Sequence, residues 1–84
     1  MAIELESIED IEYDGKTLAA RVIYTSKGRV NEKALLGSLR SFDYLDILLK
    51  HYRFEACPKM KITGVEKKGK KRFAFIEVSR EVGG

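Results

Sequence analysis

A chain of 84 residues that is 44% apolar and 35% charged carries enough material for one modest core, and its balance is that of a folded domain rather than a disordered segment. No apolar run approaches the roughly 18 residues of a membrane span, and the acidic start lacks the basic flank of a secretory signal. We therefore expect a single domain over residues 1–84, cytoplasmic and with no membrane partner; Cys57, the only cysteine, allows no internal disulfide and agrees with a reducing compartment.

The net charge of +3 hides a lopsided distribution. Residues 1–14 carry Glu4, Glu6, Glu9, Asp10, Glu12 and Asp14 and no base, whereas residues 59–72 carry Lys59, Lys61, Lys67, Lys68, Lys70, Lys71 and Arg72 against Glu66 alone. Two oppositely charged regions can attract a polyanion at one end, or a second copy head to tail. Lys and Glu also blunt exposed edge strands against aggregation. Gln is absent, Asn31 is the only asparagine, and Lys, Glu and Ile are plentiful, a balance that leans toward a thermophilic source.

In chain order, the first turn signal is Asp14-Gly15, which favours a two-residue hairpin turn because both central residues need positive φ. That turn pairs Tyr13 with Lys16, Glu12 with Thr17 and Ile11 with Leu18. Ile3, Leu5 and Ile11 then share the core face with Leu18, Ala20, Val22 and Tyr24. Ile8 and Ile23 fall on the opposite face with Ala19, Arg21 and Thr25, unless a bulge near Glu9 resets the register. The acid-rich first strand reads as an edge, and Thr17 to Thr25 as a central strand.

Ser26-Lys27-Gly28-Arg29 reads as a loop, after which Asn31 can cap a helix by accepting from free backbone N–H groups. Leu35, Leu39, Phe42, Leu45, Leu49 and Tyr52 recur at three- and four-residue spacing and make one apolar stripe. The segment runs to about Arg53, with a break near Phe42 if Ser41 or Asp43 caps a second helix. Pro58 stops any continuation.

Lys59 to Glu66 and Lys70 to Arg80 form a second hairpin. A three-residue loop, Lys67-Lys68-Gly69, places Met60 and Ile62 beside Ala74, Ile76 and Val78, with Phe73 and Phe75 on the other face beside Lys61, Thr63 and Glu77. A two-residue turn at Lys68-Gly69 would instead pair Met60 and Ile62 with the phenylalanines. The first choice gathers the aliphatic residues under the helix. The fold class is thus α+β, with ββαββ order: a four-stranded antiparallel sheet, strand order 1-2-4-3, under one helical layer. The alternative for this element order is the β-grasp, order 2-1-4-3, which the carboxylates of the first strand disfavour.

Lys71-Arg72-Phe73-Ala74-Phe75-Ile76-Glu77-Val78 resembles the first ribonucleoprotein motif of RNA-recognition domains, a basic residue followed by aromatic-small-aromatic-aliphatic on a central strand. Arg72 stands where that motif has glycine and Val78 where it has an aromatic. The resemblance covers these eight residues; the second helix and fourth strand of that family have no counterpart. It implies that Phe73 and Phe75 stack on bases. Independently, aromatic faces beside Lys and Arg combine stacking with phosphate attraction.

Gly83-Gly84 resembles the activated tail of ubiquitin-like modifiers and sulfur carriers, whose β-grasp shares this element order. Catalytic chemistry finds little support. His51 and Cys57, each the only one of its kind, lie on either side of the helix end with no orienting third group. They supply no zinc-ligand spacing, and Gly28 and Gly37 form no phosphate-binding loop.

The sequence thus points to a non-enzymatic binding module without metal or cofactor. The leading expectation is a nucleic-acid partner, RNA or single-stranded DNA. Phe73 and Phe75 would meet bases, and Lys61, Lys68, Lys70, Lys71, Arg72 and Arg21 would face phosphates. The alternatives are a homodimeric assembly domain closed by the same apolar sheet face, and a diglycine-tailed modifier.

Overall fold

The structure, a computed structural model, describes residues 3–54 and 58–80. Its elements follow the order β1 (Ile3–Tyr13), β2 (Thr17–Ser26), α1 (Glu32–Arg40), α2 (Asp43–His51), β3 (Lys59–Lys68) and β4 (Lys71–Ser79). The strands form one sheet in the order β1-β2-β4-β3, every neighbouring pair antiparallel. Both helices cover one face. Among the described residues no helix is long and apolar enough to cross a membrane.

The helical region follows its capping chemistry and its stripe. Asn31 Oδ1 accepts from the backbone N–H of Ala34 at 2.7 Å, which satisfies one of the free donors of the first turn. The break falls at Ser41-Phe42, but neither Ser41 nor Asp43 caps α2: Phe42 takes the cap position and makes no side-chain cap bond. Asp43 and Asp46 in the first turn complement the positive end of the helix dipole instead. The chain leaves α2 through Arg53 at φ 60°, with Arg53 N–H donating to Lys50 O and Phe54 N–H to Leu49 O. That paired closure satisfies the last carbonyls of the helix.

Leu35, Leu39 and Leu45 of the stripe are buried, and Phe42, Leu49 and Tyr52 pack against them. Beneath lie Leu18, Ala20, Val22 and Tyr24 of β2, Ala74, Ile76 and Val78 of β4, and Met60 of β3. Fully burying each large aliphatic side chain contributes about 1.5–3 kcal/mol, so this shared face is the main stabilising term. Ile62 lies on the expected face but at its margin, only partly buried.

The registers differ from the sequence reading at both hairpins. Tyr13 pairs with Leu18, not Lys16, because the first turn is closed by the Asp14 side chain. Its Oδ1 accepts from the backbone N–H groups of Lys16 at 2.8 Å and Thr17 at 2.7 Å. Those two bonds hold the Asp14 carboxyl below the usual carboxylate range. Gly15, at φ 99°, supplies the reversal.

Irregularities between Leu5 and Ser7 and between Glu9 and Glu12 then shift β1 against β2, with Asp10 at φ 51°. The anticipated bulge near Glu9 therefore exists and resets the faces. Ile8 pairs with Val22 and packs on the core, Tyr13 joins it, and Ile11 is turned out at 40% exposure.

In the second hairpin Lys68 pairs with Lys71, so the loop is Gly69-Lys70 and neither anticipated loop forms. Gly69 at φ 62° suits the first position of such a two-residue turn. An irregularity between Ile62 and Gly64 compensates, so Met60 still meets Val78 and Ile62 meets Ile76 on the core face. Phe73 and Phe75 keep the outer face.

Candidate nucleic-acid interface

β2 and β4 are the two central strands, so their outward residues form the middle of the helix-free face. Ile23 pairs with Phe73 and Arg21 with Phe75 across the β2–β4 ladder. Ile23 is 8% exposed, although it lies outside the core cluster, and both phenylalanines are half-buried. Alternation of a strand places Lys71, Phe73, Phe75 and Glu77 in one outward row. Gly64 lies opposite Phe75, and a Cβ there would stand 3.7 Å from the ring, in ordinary contact. Thr63 Oγ1 donates to Phe75 O at 3.2 Å.

The cations of this face are unequal. Arg21 extends across the ladder so that its guanidinium carbon stands 5.1 Å from the centre of the Phe73 ring. Glu9 at 2.7 Å and Asp10 at 3.2 Å hold it there. The hydrogen bond that Arg21 donates to Glu9 raises the Arg21 pKa further above its ordinary value, so this group stays charged at every relevant pH. Its Nε is buried without a hydrogen-bond partner among the described residues. Lys71 Nζ lies 3.5 Å from Glu6, with both side chains well exposed to solvent. Lys61 is exposed opposite Glu77. Carboxylates concentrate at the other end of the face: Asp10, Glu12 and Glu77 line a recess of about 250 Å³ beside Phe75.

Arg72 faces the helix side, opposite Tyr24 on β2 and Lys67 on β3. Together with Lys70 at the turn it lines a larger recess, of about 480 Å³, at the end of the sheet. Lys27 of the β2–α1 connection and Lys67 complete the basic wall, with Glu4, Thr25, Ser26 and Gly69. The recess exists because the ladders end unevenly. β1–β2 pairing continues to Ile3 and Ser26, and β3–β4 pairing to Lys68 and Lys71, but β2–β4 pairing stops at Tyr24 and Arg72. Beyond that last rung the two hairpins part like a fork. None of Lys27, Lys67, Lys70 and Arg72 makes an ion pair among the described residues.

The residues singled out in the sequence thus divide into two groups. Phe73, Phe75, Arg21, Lys61, Lys68 and Lys71 belong to the outer face, while Arg72 and Lys70 line the fork. The sequence reading passed over Lys27, an unremarkable loop lysine, and assigned Lys67 only to the turn. Nothing local marks Lys27, since the other cations of the fork, Lys67, Lys70 and Arg72, lie in a distant part of the chain. Cys57 and Gly83-Gly84 lie outside the described residues, so the His51–Cys57 pairing and the diglycine tail have no structural account. The sheet order β1-β2-β4-β3 is not the β-grasp order that the tail resemblance implies. Among the described residues no cluster of three or more His, Cys, Asp or Glu side chains is placed to hold a metal ion. No family model, curated protein or solved structure matches this chain.

Proposed function

We propose that this protein is a non-enzymatic module that binds a single strand of nucleic acid, RNA or DNA, with the hairpin end of its sheet. The observation that carries the reading is the outward row of Lys71, Phe73 and Phe75 on the helix-free face, flanked on β3 by Lys61 and Lys68, which have no ion pair among the described residues. Exposed base faces stack on aromatic rings for about 1–3 kcal/mol each, and lysines gain affinity by displacing condensed counterions from phosphates. The Lys71–Glu6 pair is no obstacle, because an exposed ion pair contributes about 0–1 kcal/mol and exchanges readily for a phosphate.

Titration of a labelled single strand at two salt concentrations tests this reading. Affinity should fall steeply with salt in the wild type, and Phe73→Ala with Phe75→Ala should abolish binding without unfolding the protein. No binding by the wild type at low salt would refute it, since a cluster of free cations gives at least weak non-specific affinity.

One feature favours a second reading, a homodimer closed by the same face. Asp10, Glu12 and Glu77 surround Phe75, and Glu66 stands opposite Phe73. These acids repel a phosphate backbone and suit basic side chains of a second copy. Sedimentation separates the two readings: the double phenylalanine variant then shifts from dimer to monomer and wild-type association persists in high salt.

A further inference from the structure

The outer face and the fork are different places. Phe73 and Phe75 point away from the helices, whereas Arg72 and Lys67 lie on the side of Tyr24, a core residue. A strand lying across the phenylalanines cannot carry an internal phosphate into the fork without bending sharply around the end of the sheet. A strand end can turn in, and so can a small phosphate compound.

Charge points the same way. Lys27, Lys67, Lys70 and Arg72 line one recess of about 480 Å³ whose lining, among the described residues, contains a single acid, Glu4. A phosphodiester presents one negative charge. A phosphomonoester presents about 1.5 to 2 at neutral pH, with three strong acceptor oxygens. Arg72 offers the planar fork that grips two phosphate oxygens at once, and the lysines act as point charges around it. The Thr25 and Ser26 side chains add polar lining, and Gly69 leaves the hairpin side of the recess free of a Cβ. The volume is that of an ordinary small-ligand site, with room for a phosphate and the sugar that bears it.

We propose that the fork is a binding site for a terminal phosphate group. Its source is the phosphorylated end of a nucleic-acid strand, in which case the proposal rests on the strand-binding reading above, or the phosphate tail of a free nucleotide, in which case it stands alone. Specificity lies in the monoester: the fork takes the group with the most charge per volume, and the outer face takes bases.

Four probes separate these sources at one salt concentration: a short single strand with a 5′-phosphate, the same strand with a 3′-phosphate, the unphosphorylated strand, and a nucleoside triphosphate without a strand. Inorganic pyrophosphate serves as competitor. Each is titrated against the wild type, the Lys67→Ala/Arg72→Gln variant and the Phe73→Ala/Phe75→Ala variant, with far-ultraviolet circular dichroism verifying the fold of each. A phosphate at one end should tighten strand binding about tenfold, and pyrophosphate should erase that gain. Lys67→Ala/Arg72→Gln should lose the gain while binding the unphosphorylated strand within about threefold of wild type, because an internal phosphate does not enter the fork and the outer-face cations are untouched.

Triphosphate binding that depends on Lys67 and Arg72, with no strand bound at all, would uphold the fork site, assign it to a nucleotide and overturn the strand reading. Equal affinity for phosphorylated and unphosphorylated strands, with no binding of triphosphate or pyrophosphate, would overturn the fork site and leave the strand reading standing. A terminal-phosphate gain that survives Lys67→Ala/Arg72→Gln would also overturn it, by placing the phosphate elsewhere.

Discussion

Arg21 lies over Phe73, its guanidinium carbon 5.1 Å from the ring centre, and Glu9 and Asp10 of the neighbouring edge strand hold it there. The aromatic ring nearest the basic hairpin is therefore partly covered by a cation of the same chain, and that cation is neutralised by the same sheet. A base stacking on Phe73 has to share the ring with Arg21 or displace it. The irregularity of β1 between Glu9 and Glu12 is what brings Asp10 within reach.

Releasing Arg21 should favour a polyanion. In Glu9→Gln/Asp10→Asn the two acids are neutralised and the guanidinium becomes available to a phosphate. Affinity for a single strand should rise several-fold, and the dependence of log K on log salt should steepen by about one phosphate contact. A salt titration of the variant beside the wild type reads both quantities. Unchanged affinity would mean that the strand does not approach this part of the face.

The lysines of the turn should separate by environment. Lys70 lines the fork without an ion pair among the described residues, whereas Lys71 is engaged by Glu6 at 3.5 Å. For a strand with a terminal phosphate, Lys70→Ala should flatten the salt slope by close to one contact, and Lys71→Ala by less, because a Lys71 that moves to a phosphate leaves Glu6 to take up a counterion, which cancels part of the release. Parallel titrations of the two single variants measure the difference.

Arg80 should prove a stabilising residue of the sheet's far end. Its guanidinium donates to Tyr13 Oη at 2.7 Å and 3.2 Å, to Arg53 O at 2.9 Å and to Tyr52 O, and stacks 4.5 Å from the centre of the Phe54 ring. It thereby ties β4 to the end of α2 and to the first hairpin. Arg80→Ala should cost about 2 kcal/mol, since hydrogen bonds to charged groups outweigh neutral ones and two backbone carbonyls lose a donor. Arg80→Lys should recover only part of this, for an ammonium cannot spread its donors in one plane. Urea unfolding of both variants gives the comparison.

The first turn should carry a small acid sensitivity. Asp14 has its carboxyl pKa lowered by the backbone N–H groups of Thr17 and Lys16. A depressed folded pKa stabilises the protein above the unfolded value, about 3.9 for Asp, and that contribution disappears as pH falls through the folded value. Asp14→Asn keeps an acceptor oxygen but cannot titrate. Its stability should therefore vary less than that of the wild type below about pH 4, a comparison that chemical unfolding at a series of pH values makes directly.

The core should respond in the usual way to truncation. Leu39 is 1% exposed where α1 meets the sheet. Leu39→Ala should cost about 3 kcal/mol through lost burial and the cavity left behind, measured by the same unfolding assay. In a domain of this size that is a large fraction of the total stability.

Much of the architecture lies in local pattern. The spacing of Leu35, Leu39, Phe42, Leu45, Leu49 and Tyr52 identifies the helical face and Asn31 its start, and both hold in the structure, whereas the sequence leaves the break near Phe42 open and the cap it would depend on does not form. Alternation along Thr17–Thr25 and Phe73–Val78 identifies the two central strands, and the acids of β1 and lysines of β3 their flanks. These features are readable because each depends on a few neighbouring residues and on the fixed periods of helix and strand. The outward placement of Phe73 and Phe75 follows from the same alternation, since Ala74, Ile76 and Val78 must meet the helices.

Registers and meetings between distant residues were settled by the tertiary structure alone. The Asp14 side chain replaced the expected Asp-Gly turn, the irregular stretches of β1 turned Ile8 toward the core and Ile11 away from it, and that of β3 restored the core face that its shifted turn would have lost. A slip of one residue exchanges the two faces of a strand, so burial of Ile8, Tyr13 and Ile62 selects the bulges, and no local signal specifies where they fall. Tertiary packing likewise sets Arg21 over Phe73, Arg80 against Tyr13, and Lys27 beside Lys67 and Arg72 at the fork. Each of these contacts joins segments far apart in the chain, and packing of the whole sheet against its two helices decides which residues meet.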